Sequence, residues 1–142
     1  MRIPTAAARA RFLASPVARL ATADESGVPH LVPVTFACVT DADHDNDMLV
    51  FAVDHKPKTT TRLRRLANIA ANPAVSFLTD EYDDDWTRLW WVRADGQAAV
   101  LGGTLRDQAL VALTGKYRQY REQAPDGPVV GAWVLRWSGW AG

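Results

Sequence analysis

Short apolar runs recur along this chain of 142 residues at the spacing typical of an antiparallel β-sheet. The first two, residues 17–22 and 29–40, flank Asp24-Glu25-Ser26-Gly27, a turn sequence, and together predict a β-hairpin. Further strands are predicted at residues 48–53, 75–79, 88–93, 97–101 and 129–137, with a second hairpin turning at Ala94-Asp95-Gly96. Six or seven strands joined by short turns favour a mainly antiparallel sheet closed into a barrel.

Helical patterns are fewer. A short helix capped by Thr5 is predicted through Ala14, a second over residues 59–71, and a third from about residue 105 to 120. The second helix carries Leu63, Leu66 and Ile69 or Ala70 on one face and ends at Asn72-Pro73, because the residue before proline disfavours the α conformation. With two or three helices and no G-x-G-x-x-G motif, a doubly wound nucleotide-binding fold is excluded, and residues 1–142 are predicted to form one domain.

Charge and cysteine content exclude several classes of function. Sixteen basic and sixteen acidic residues cancel, so no chain-wide field attracts nucleic acid or an anionic membrane. The only cysteine, Cys38, lies in an apolar run, which indicates a buried thiol and is compatible with a reducing compartment. No stretch approaches the roughly 18 apolar residues of a membrane span. We therefore expect a cytoplasmic protein that acts on a small molecule.

A basic segment follows the strand at residues 48–53 and precedes the second helix. Its sequence is Asp54-His55-Lys56-Pro57-Lys58-Thr59-Thr60-Thr61, with Arg64 one turn later. The first turn of a helix has unpaired N–H groups and the positive end of the helix dipole, so a phosphate placed there gains hydrogen bonds and charge together. The residue types alone leave a second interpretation open, in which a threonine caps the helix and the basic side chains face solvent.

The sequence gives weaker support to other kinds of site, namely metal, acid-base and nucleophile sites. Asp41, Asp43 and Asp45 match the start of a calcium loop, but Asn46 and Ala52 replace its glycine and glutamate. The three histidines have no zinc-binding spacing, so no metal is predicted. The carboxylates at 80–85 are expected to form a solvated loop, and the chain has no G-x-S-x-G motif for a nucleophile.

Six tryptophans are concentrated around residues 86–91 and 133–140. Consecutive Trp90 and Trp91 must point to opposite sides of a strand, so one of them is expected to face outward. Outward aromatic side chains mark an interface or a flat ligand.

The chain resembles the pyridoxamine 5′-phosphate oxidase-like split-barrel superfamily of flavin and deazaflavin proteins. Residues 19–34 are similar to its opening hairpin, and residues 51–58 to its third strand and phosphate-binding turn. Trp91-Val92-Arg93-Ala94-Asp95-Gly96 is similar to the family's Q-V-R-x-x-G signature. The resemblance implies an FMN-binding type of split barrel and a homodimer with the cofactor in a groove between the subunits.

Within the superfamily, the segments 54–58, 84–86 and 90–93 most resemble the branch that uses coenzyme F-420, an 8-hydroxy-5-deazaflavin. This resemblance implies an oxidoreductase, and more simply a reductase, that exchanges hydride with a flat, conjugated substrate. Its phosphate would be held by Lys58, the family's phosphate-binding lysine, together with Lys56, Thr59, Thr60 and Arg64. The ring would lie beside His30, Pro33 and Val34 and near Trp91 and Arg93, with Tyr82 a candidate proton donor.

Lys56 and Pro57 replace the serine and arginine of the oxidases, which alters the binding of the phosphate. Two further departures weaken a vitamin B6 oxidase assignment: Trp91 replaces a glutamine that hydrogen-bonds the flavin ring, and the helix after Lys58 is several residues longer than in the oxidases. The alternatives that remain are an FMN-dependent oxidoreductase and a non-catalytic carrier of flavin, F-420 or haem, which the missing acid-base residues favour. A nucleic-acid module draws only on the arginines at 62–65 and the aromatic residues, and the neutral charge disfavours it.

Overall fold

The computed structural model describes residues 1–40, 46–53 and 64–142 in full and the backbone of residues 60–63. One seven-stranded antiparallel sheet, curved into a split barrel, dominates the fold and has the order β2-β1-β5-β6-β7-β4-β3. The strands are β1 (Ala18–Ala23), β2 (Pro29–Val34), β3 (Ala37–Thr40), β4 (Asp47–Ala52), β5 (Ala74–Glu81), β6 (Trp90–Val100) and β7 (Val129–Ala141). The predicted mainly β class is confirmed.

The apolar run at residues 29–40 forms two strands, where the sequence predicted one. β2 and β3 lie at opposite edges of the sheet, and only Thr35 and Phe36 separate them along the chain. Phe36 is fully buried and packs against Phe12, with 4.8 Å between the ring centroids. Within one apolar run, the chain therefore passes from one edge of the sheet to the other. The side chain of Phe36 is buried in the core at this point.

The predicted second hairpin at residues 94–96 is wrong. β6 runs without a turn through these residues and pairs with β5 on one side and β7 on the other, and a β-bulge lies between Asp95 and Gly96. A Cβ atom at Gly96 would collide with the backbone carbonyl of Trp133 on β7. Asp95 and Gly96 therefore form a β-bulge and not a turn. Glycine is required there because the neighbouring strand approaches closely.

Four α-helices accompany the sheet: α1 (Thr5–Leu13), α2 (Thr60–Ala71), α3 (Gly103–Lys116) and α4 (Arg118–Glu122). Thr5 is the first residue of α1 and Pro4 takes the capping position without a side-chain hydrogen bond, so the predicted Thr5 cap is wrong. The predicted helix at 105–120 is divided at Tyr117, whose backbone is extended. None of the described helices is long and apolar enough to cross a membrane.

The main core lies inside the barrel and is sealed by α1 and α2. Phe12 of α1 is fully buried, and its ring packs against those of Phe36, Phe77 and Trp137. Ile69 of α2 is buried in the same cluster, with Leu66 partly buried beside it, as the helical pattern predicted. α3 covers a second, smaller cluster next to β3 and β4. The sheet therefore has a filled inner side and an outer side that no described helix covers over β1, β2 and β5.

We expect Gly96→Ala to lower the free energy of unfolding by about 1–3 kcal/mol, because the added methyl group must displace backbone at the bulge. Gly115→Ala is the matched control. Gly115 lies in α3 with no atom near its Cβ position, so alanine there should stabilise the protein by about 0.5–1 kcal/mol. Chemical denaturation of both variants measures the difference, and equal effects would contradict the assignment of the bulge.

Candidate functional site

Strand register assigns side chains to the two sides of the sheet. Residues directly opposite each other on neighbouring strands share one face. One such row runs across five strands on the outer side and consists of Pro33, Arg19, Leu78, Arg93 and Ser138. The intervening residues of β1 and β5, among them Leu20 and Phe77, are buried in the core. The row therefore marks an exposed surface, which we call the outer face.

A cavity of about 300 Å³ opens on the outer face over β5 and β6. We call it the outer pocket, and its lining residues are Leu78, Asp80, Tyr82, Trp91 and Arg93. Trp91 is partly exposed here, whereas Trp90 packs against the core and donates its indole N–H to Glu81 at 3.1 Å. The prediction that one of the two tryptophans faces outward is confirmed. The outer pocket thus combines two aromatic side chains with one carboxyl and one guanidinium group.

Hydrogen bonds fix one edge of the Arg93 guanidinium group. Its Nε donates to Asp95 Oδ2 at 3.1 Å, and Ser76 donates to the other carboxylate oxygen of Asp95 at 2.6 Å. The guanidinium carbon lies 6.0 Å from the centre of the Trp91 ring. Within the described part of the chain, the two terminal nitrogens of Arg93 make no hydrogen bond. A guanidinium fixed at its Nε edge therefore keeps its terminal nitrogens available for a carboxylate, phosphate or carbonyl group.

The predicted ring-binding residues on β2 divide between the two faces. Pro33 is exposed on the outer face, about 14 Å from Arg93 because three strand spacings separate them. Val34 is buried in the core, and His30 is half-buried on the inner side opposite Thr22. The buried Nδ1 of His30 has no hydrogen-bond partner. The structure therefore groups Trp91, Arg93 and Tyr82 together and places His30 and Val34 elsewhere.

The predicted phosphate-binding residues are associated with α2. Lys56, Lys58 and Thr59 lie outside the described residues, and Thr60 begins the helix. Arg64 is exposed one turn later. Farther along α2, buried Asn68 donates to Thr22 at 3.1 Å and so fixes the helix to β1, opposite the strand position of His30. We refer to Arg64, Asn68, Thr22 and His30 as the inner group.

The acidic segment between β5 and β6 has its own local order. Asp85 accepts hydrogen bonds from the backbone N–H and the hydroxyl of Thr87, and these bonds lower the pKa of its carboxyl. They hold a short 3-10 turn at Trp86–Arg88. A carboxylate stabilised in this way is a poor general acid. The loop predicted for residues 80–85 is wrong at its start, because Asp80 and Glu81 are the last residues of β5 and pair with β6. The described residues contain no group of three metal-binding side chains.

A cluster on α3 and α4 that the sequence analysis missed holds the corner between β2 and β3. The Tyr117 hydroxyl accepts from the Phe36 N–H at 2.9 Å and lies 2.8 Å from the Pro16 carbonyl oxygen, to which it donates. Tyr120 shares a hydrogen bond of 3.0 Å with Thr35. These contacts fix the end of β2 just beyond Pro33 and Val34. Sequence spacing offered no signal, because the bonds join residues about 80 positions apart.

Lys116 adds a cation to the same corner. Its ammonium group lies 3.6 Å from the centre of the Phe36 ring and donates to the Ser15 carbonyl at 2.9 Å. Burial lowers the pKa of Lys116 to about 8 and raises the pKa of Tyr117. Burial also raises the pKa of Cys38 to about 11, so its thiol stays protonated. Cys38 lies half-buried in the barrel wall on β3, where the sequence predicted a buried thiol.

The family model for pyridoxamine 5′-phosphate oxidase matches residues 4–140. The chain belongs to this family. The matched residues span all seven strands of the sheet up to the penultimate residue of β7, and β6 among them supplies Trp91 and Arg93 to the outer pocket. Comparison with curated proteins gave no match.

Solved structures with the same fold have names that describe different functions. An FAD-binding protein from Mesorhizobium loti is 22% identical with a TM-score of 0.69, and the match covers 98% of this chain and 95% of that one. The haem storage protein HutZ from Vibrio cholerae is 14% identical with a TM-score of 0.67 and the same coverage. A 5-nitroimidazole antibiotic resistance protein from Bacteroides thetaiotaomicron is 14% identical with a TM-score of 0.70, covering 98% and 86%. At these identities the likeness shows the fold alone.

We expect Tyr117→Phe to destabilise the protein by about 1–3 kcal/mol, because the Phe36 N–H loses its acceptor in a partly buried position. Tyr82→Phe is the control. Tyr82 is 71% exposed, so removing its hydroxyl should change stability by less than about 0.5 kcal/mol. Thermal or urea unfolding of the two variants checks this. Equal stability of both variants would show that the corner does not depend on the Tyr117 hydroxyl.

Proposed function

We propose that this protein is an oxidoreductase that uses coenzyme F-420 to transfer hydride to a flat, conjugated small molecule. The observation that carries the proposal is the outer pocket, where Trp91 lies beside Arg93, whose two terminal nitrogens make no hydrogen bond to the described residues. By its resemblance to the family signature, Trp91 takes the place of the ring-binding glutamine. An indole cannot repeat the glutamine's hydrogen bonds, because it has one donor and no acceptor. It can pack against a flat ring. A ring-binding site altered in this way supports a cofactor other than the FMN of the oxidases.

The residues present suit a deazaflavin with a phosphorylated side chain. In the proposal, Lys58, Lys56, Thr59, Thr60 and Arg64 hold the phosphate at the start of α2. The ring lies against Trp91 and Arg93 on the outer face, with Pro33 farther along that face. His30 belongs to the inner group, on the phosphate side, and Val34 lies in the core. When bound, F-420 supplies or accepts hydride at carbon C5 of its ring. No nucleophile is then needed, and the protein positions the reactants and excludes water.

In the proposal, an exposed side chain donates the proton that the reaction needs. Tyr82 lines the outer pocket and its hydroxyl makes no hydrogen bond to the described residues. In the proposal it donates a proton to the reduced substrate, with water as the other available donor. The protein would act in the cytoplasm, where the free thiol of Cys38 persists.

We also propose that the functional unit is a homodimer. The inner group and the outer pocket lie on opposite sides of one sheet, so a ligand held by both groups of a single copy would have to reach around the β2 edge. In a dimer the ligand need not reach around this edge, because one subunit can contribute its inner group and the other its outer pocket to the same site. The outer face also exposes apolar side chains, with Leu31 and Leu135 more than 60% accessible. Such exposure supports burial against a partner.

A flavin-binding protein is the second candidate, and the FAD-binding protein of the same fold favours it. Haem storage by HutZ supports a related possibility, a carrier without turnover. A yellow protein as purified would favour flavin. Tight binding without oxidation of the reduced cofactor by enones, quinones or nitro compounds would favour a carrier.

We expect the purified protein to quench the fluorescence of F-420 on binding and to prefer it to FMN. Lys58→Ala should weaken F-420 binding at least about tenfold, because one charge-assisted phosphate contact is worth about 1.5–3 kcal/mol. Arg118→Ala is the control, since Arg118 is exposed on α4 and, among the described residues, its ion pair is with Glu122 of its own helix. Absence of F-420 binding by the wild type would refute the proposed function. Equal affinity of Lys58→Ala and wild type would refute the role of Lys58 alone.

A further inference from the structure

Another cavity lies where the first residues of the chain meet the end of β7. We call it the terminal cleft, and its volume is about 450 Å³, within the range of small-molecule sites. Its lining residues are Met1, Ile3, Trp86, Thr87, Trp140, Ala141 and Gly142. Trp86 is 76% exposed and Trp140 39% exposed. Among the described residues the two indoles make no ring contact with each other, so both ring surfaces are available to a ligand.

Hydrogen bonds fix the backbone on which the two indoles stand. The Ile3 N–H donates to a β7 carbonyl at 3.1 Å, and residues 1–3 thereby pair with the end of the strand that carries Trp140. Trp86 begins the 3-10 turn that Asp85 holds. The backbone under each indole is therefore ordered before a ligand arrives, which lowers the entropy cost of binding.

The polar groups of the lining specify which ligand suits the terminal cleft. The Thr87 hydroxyl already donates to Asp85 at 2.6 Å, and the Met1 ammonium donates to the Ala141 carbonyl at 2.7 Å. The two indole N–H groups make no hydrogen bond to the described residues. Among the described residues that line the cleft, none has an acidic or basic side chain, so a charged ligand would lose hydration without gaining such a partner. An indole only donates hydrogen bonds, so the ligand that suits the cleft is uncharged and flat and carries an oxygen acceptor.

The terminal cleft is adjacent to the outer pocket but separate from it. Trp91, which lines the outer pocket, lies directly opposite Trp140 on the neighbouring strand, so their Cβ atoms are about 4.5–5.5 Å apart. Trp140 does not line the outer pocket, and Trp91 does not line the cleft. A ligand in the cleft therefore lies beyond this pair of tryptophans from a ring bound in the outer pocket.

We infer that the terminal cleft binds a flat, uncharged aromatic molecule with a carbonyl oxygen, its ring against Trp86 and Trp140 and its oxygen accepting from an indole N–H. The inference goes beyond the proposed function, because the site involves neither the outer pocket nor the residues proposed to hold the phosphate. In the proposed reaction, the cleft would hold the part of the substrate that does not receive hydride. That role rests on the proposed function, whereas the binding itself does not.

The test measures the binding of chromone, a flat two-ring ketone, and of naphthalene, which has the same two-ring frame without oxygen. Isothermal titration calorimetry is carried out with the wild type, Trp86→Ala, Trp86→Phe and Trp140→Phe. Trp86→Ala removes an exposed ring and leaves the hydrogen bonds of the turn in place, whereas the phenylalanine variants keep a ring and remove the N–H. Val111→Ala is the control, since Val111 is 71% exposed on α3 and does not line the cleft.

We expect the wild type and Val111→Ala to bind chromone about fivefold more tightly than naphthalene, the effect of one neutral hydrogen bond. Trp86→Ala should weaken chromone binding at least about tenfold, because it removes one of the two ring contacts. At least one of the phenylalanine variants should lose the preference for chromone. No binding of chromone by the wild type, equal affinity of Trp86→Ala and wild type, or an unchanged preference in both phenylalanine variants overturns the inference.

Sedimentation of the wild type and Trp86→Ala tests the other occupant, a second copy of this chain. The same oligomeric state in both supports the small-molecule site. A change from dimer to monomer in Trp86→Ala overturns the inference, because a partner subunit then covers the cleft. Titration of the same preparations with F-420 separates the two proposals: F-420 binding without chromone binding by the wild type refutes only the cleft, and chromone binding without F-420 binding refutes only the proposed function.

Discussion

The alternation of side chains along each strand is the constraint on which the rest of the structure depends. Because neighbouring residues point to opposite faces, each strand of β1, β5 and β6 gives one set of side chains to the core and the other to the outer face. Leu20, Phe77 and Val92 fill the barrel, and this same arrangement directs Arg19, Leu78 and Arg93 outward. A shift of one residue in register would bury the guanidinium of Arg93 and expose Phe77. Packing energy in the core therefore also fixes the composition of the outer pocket.

The sequence predicted the fold class well because periodicity and turn residues are local signals. Most strands and the helix at residues 60–71 lie where the apolar pattern placed them. The failures at residues 29–40 and 94–96 have one cause, since the role of Phe36 and Gly96 depends on residues distant in sequence. Phe36 lies where the chain passes between the two sheet edges, and its N–H donates to the Tyr117 hydroxyl. Gly96 leaves room for the backbone carbonyl of Trp133. The site follows the same rule: Trp91 and Arg93 carry a recognisable motif, whereas Asp80, Ser76 and the tyrosine corner become neighbours only through strand pairing and packing.

In the proposed site, Trp91 stands where the oxidases have a glutamine and offers a surface without an acceptor, so Arg93 would make the polar contacts there. Asp95 and Ser76 contribute rigidity, because a guanidinium held at Nε loses less entropy when it binds a ligand. The inner group near α2 is a separate part of the molecule. Within one copy, the sheet separates the inner group from the outer pocket. The proposed site therefore needs a second copy to bring both groups to one ligand.

Complementation between two defective chains tests that dependence most directly. In the proposed site, Lys58→Ala removes a phosphate contact and Arg93→Ala removes a ring contact, so a dimer of either variant alone should bind F-420 poorly. If every site takes Lys58 from one copy and Arg93 from the other, a heterodimer of the two variants contains one intact site. Equimolar mixing after reversible unfolding should then restore about one quarter of the wild-type binding capacity, because half of the dimers are mixed and each has one of two sites. Restoration to that level with wild-type affinity is the predicted result. Binding that remains at the level of the separate variants, in mixtures shown to contain heterodimers, would contradict the shared site.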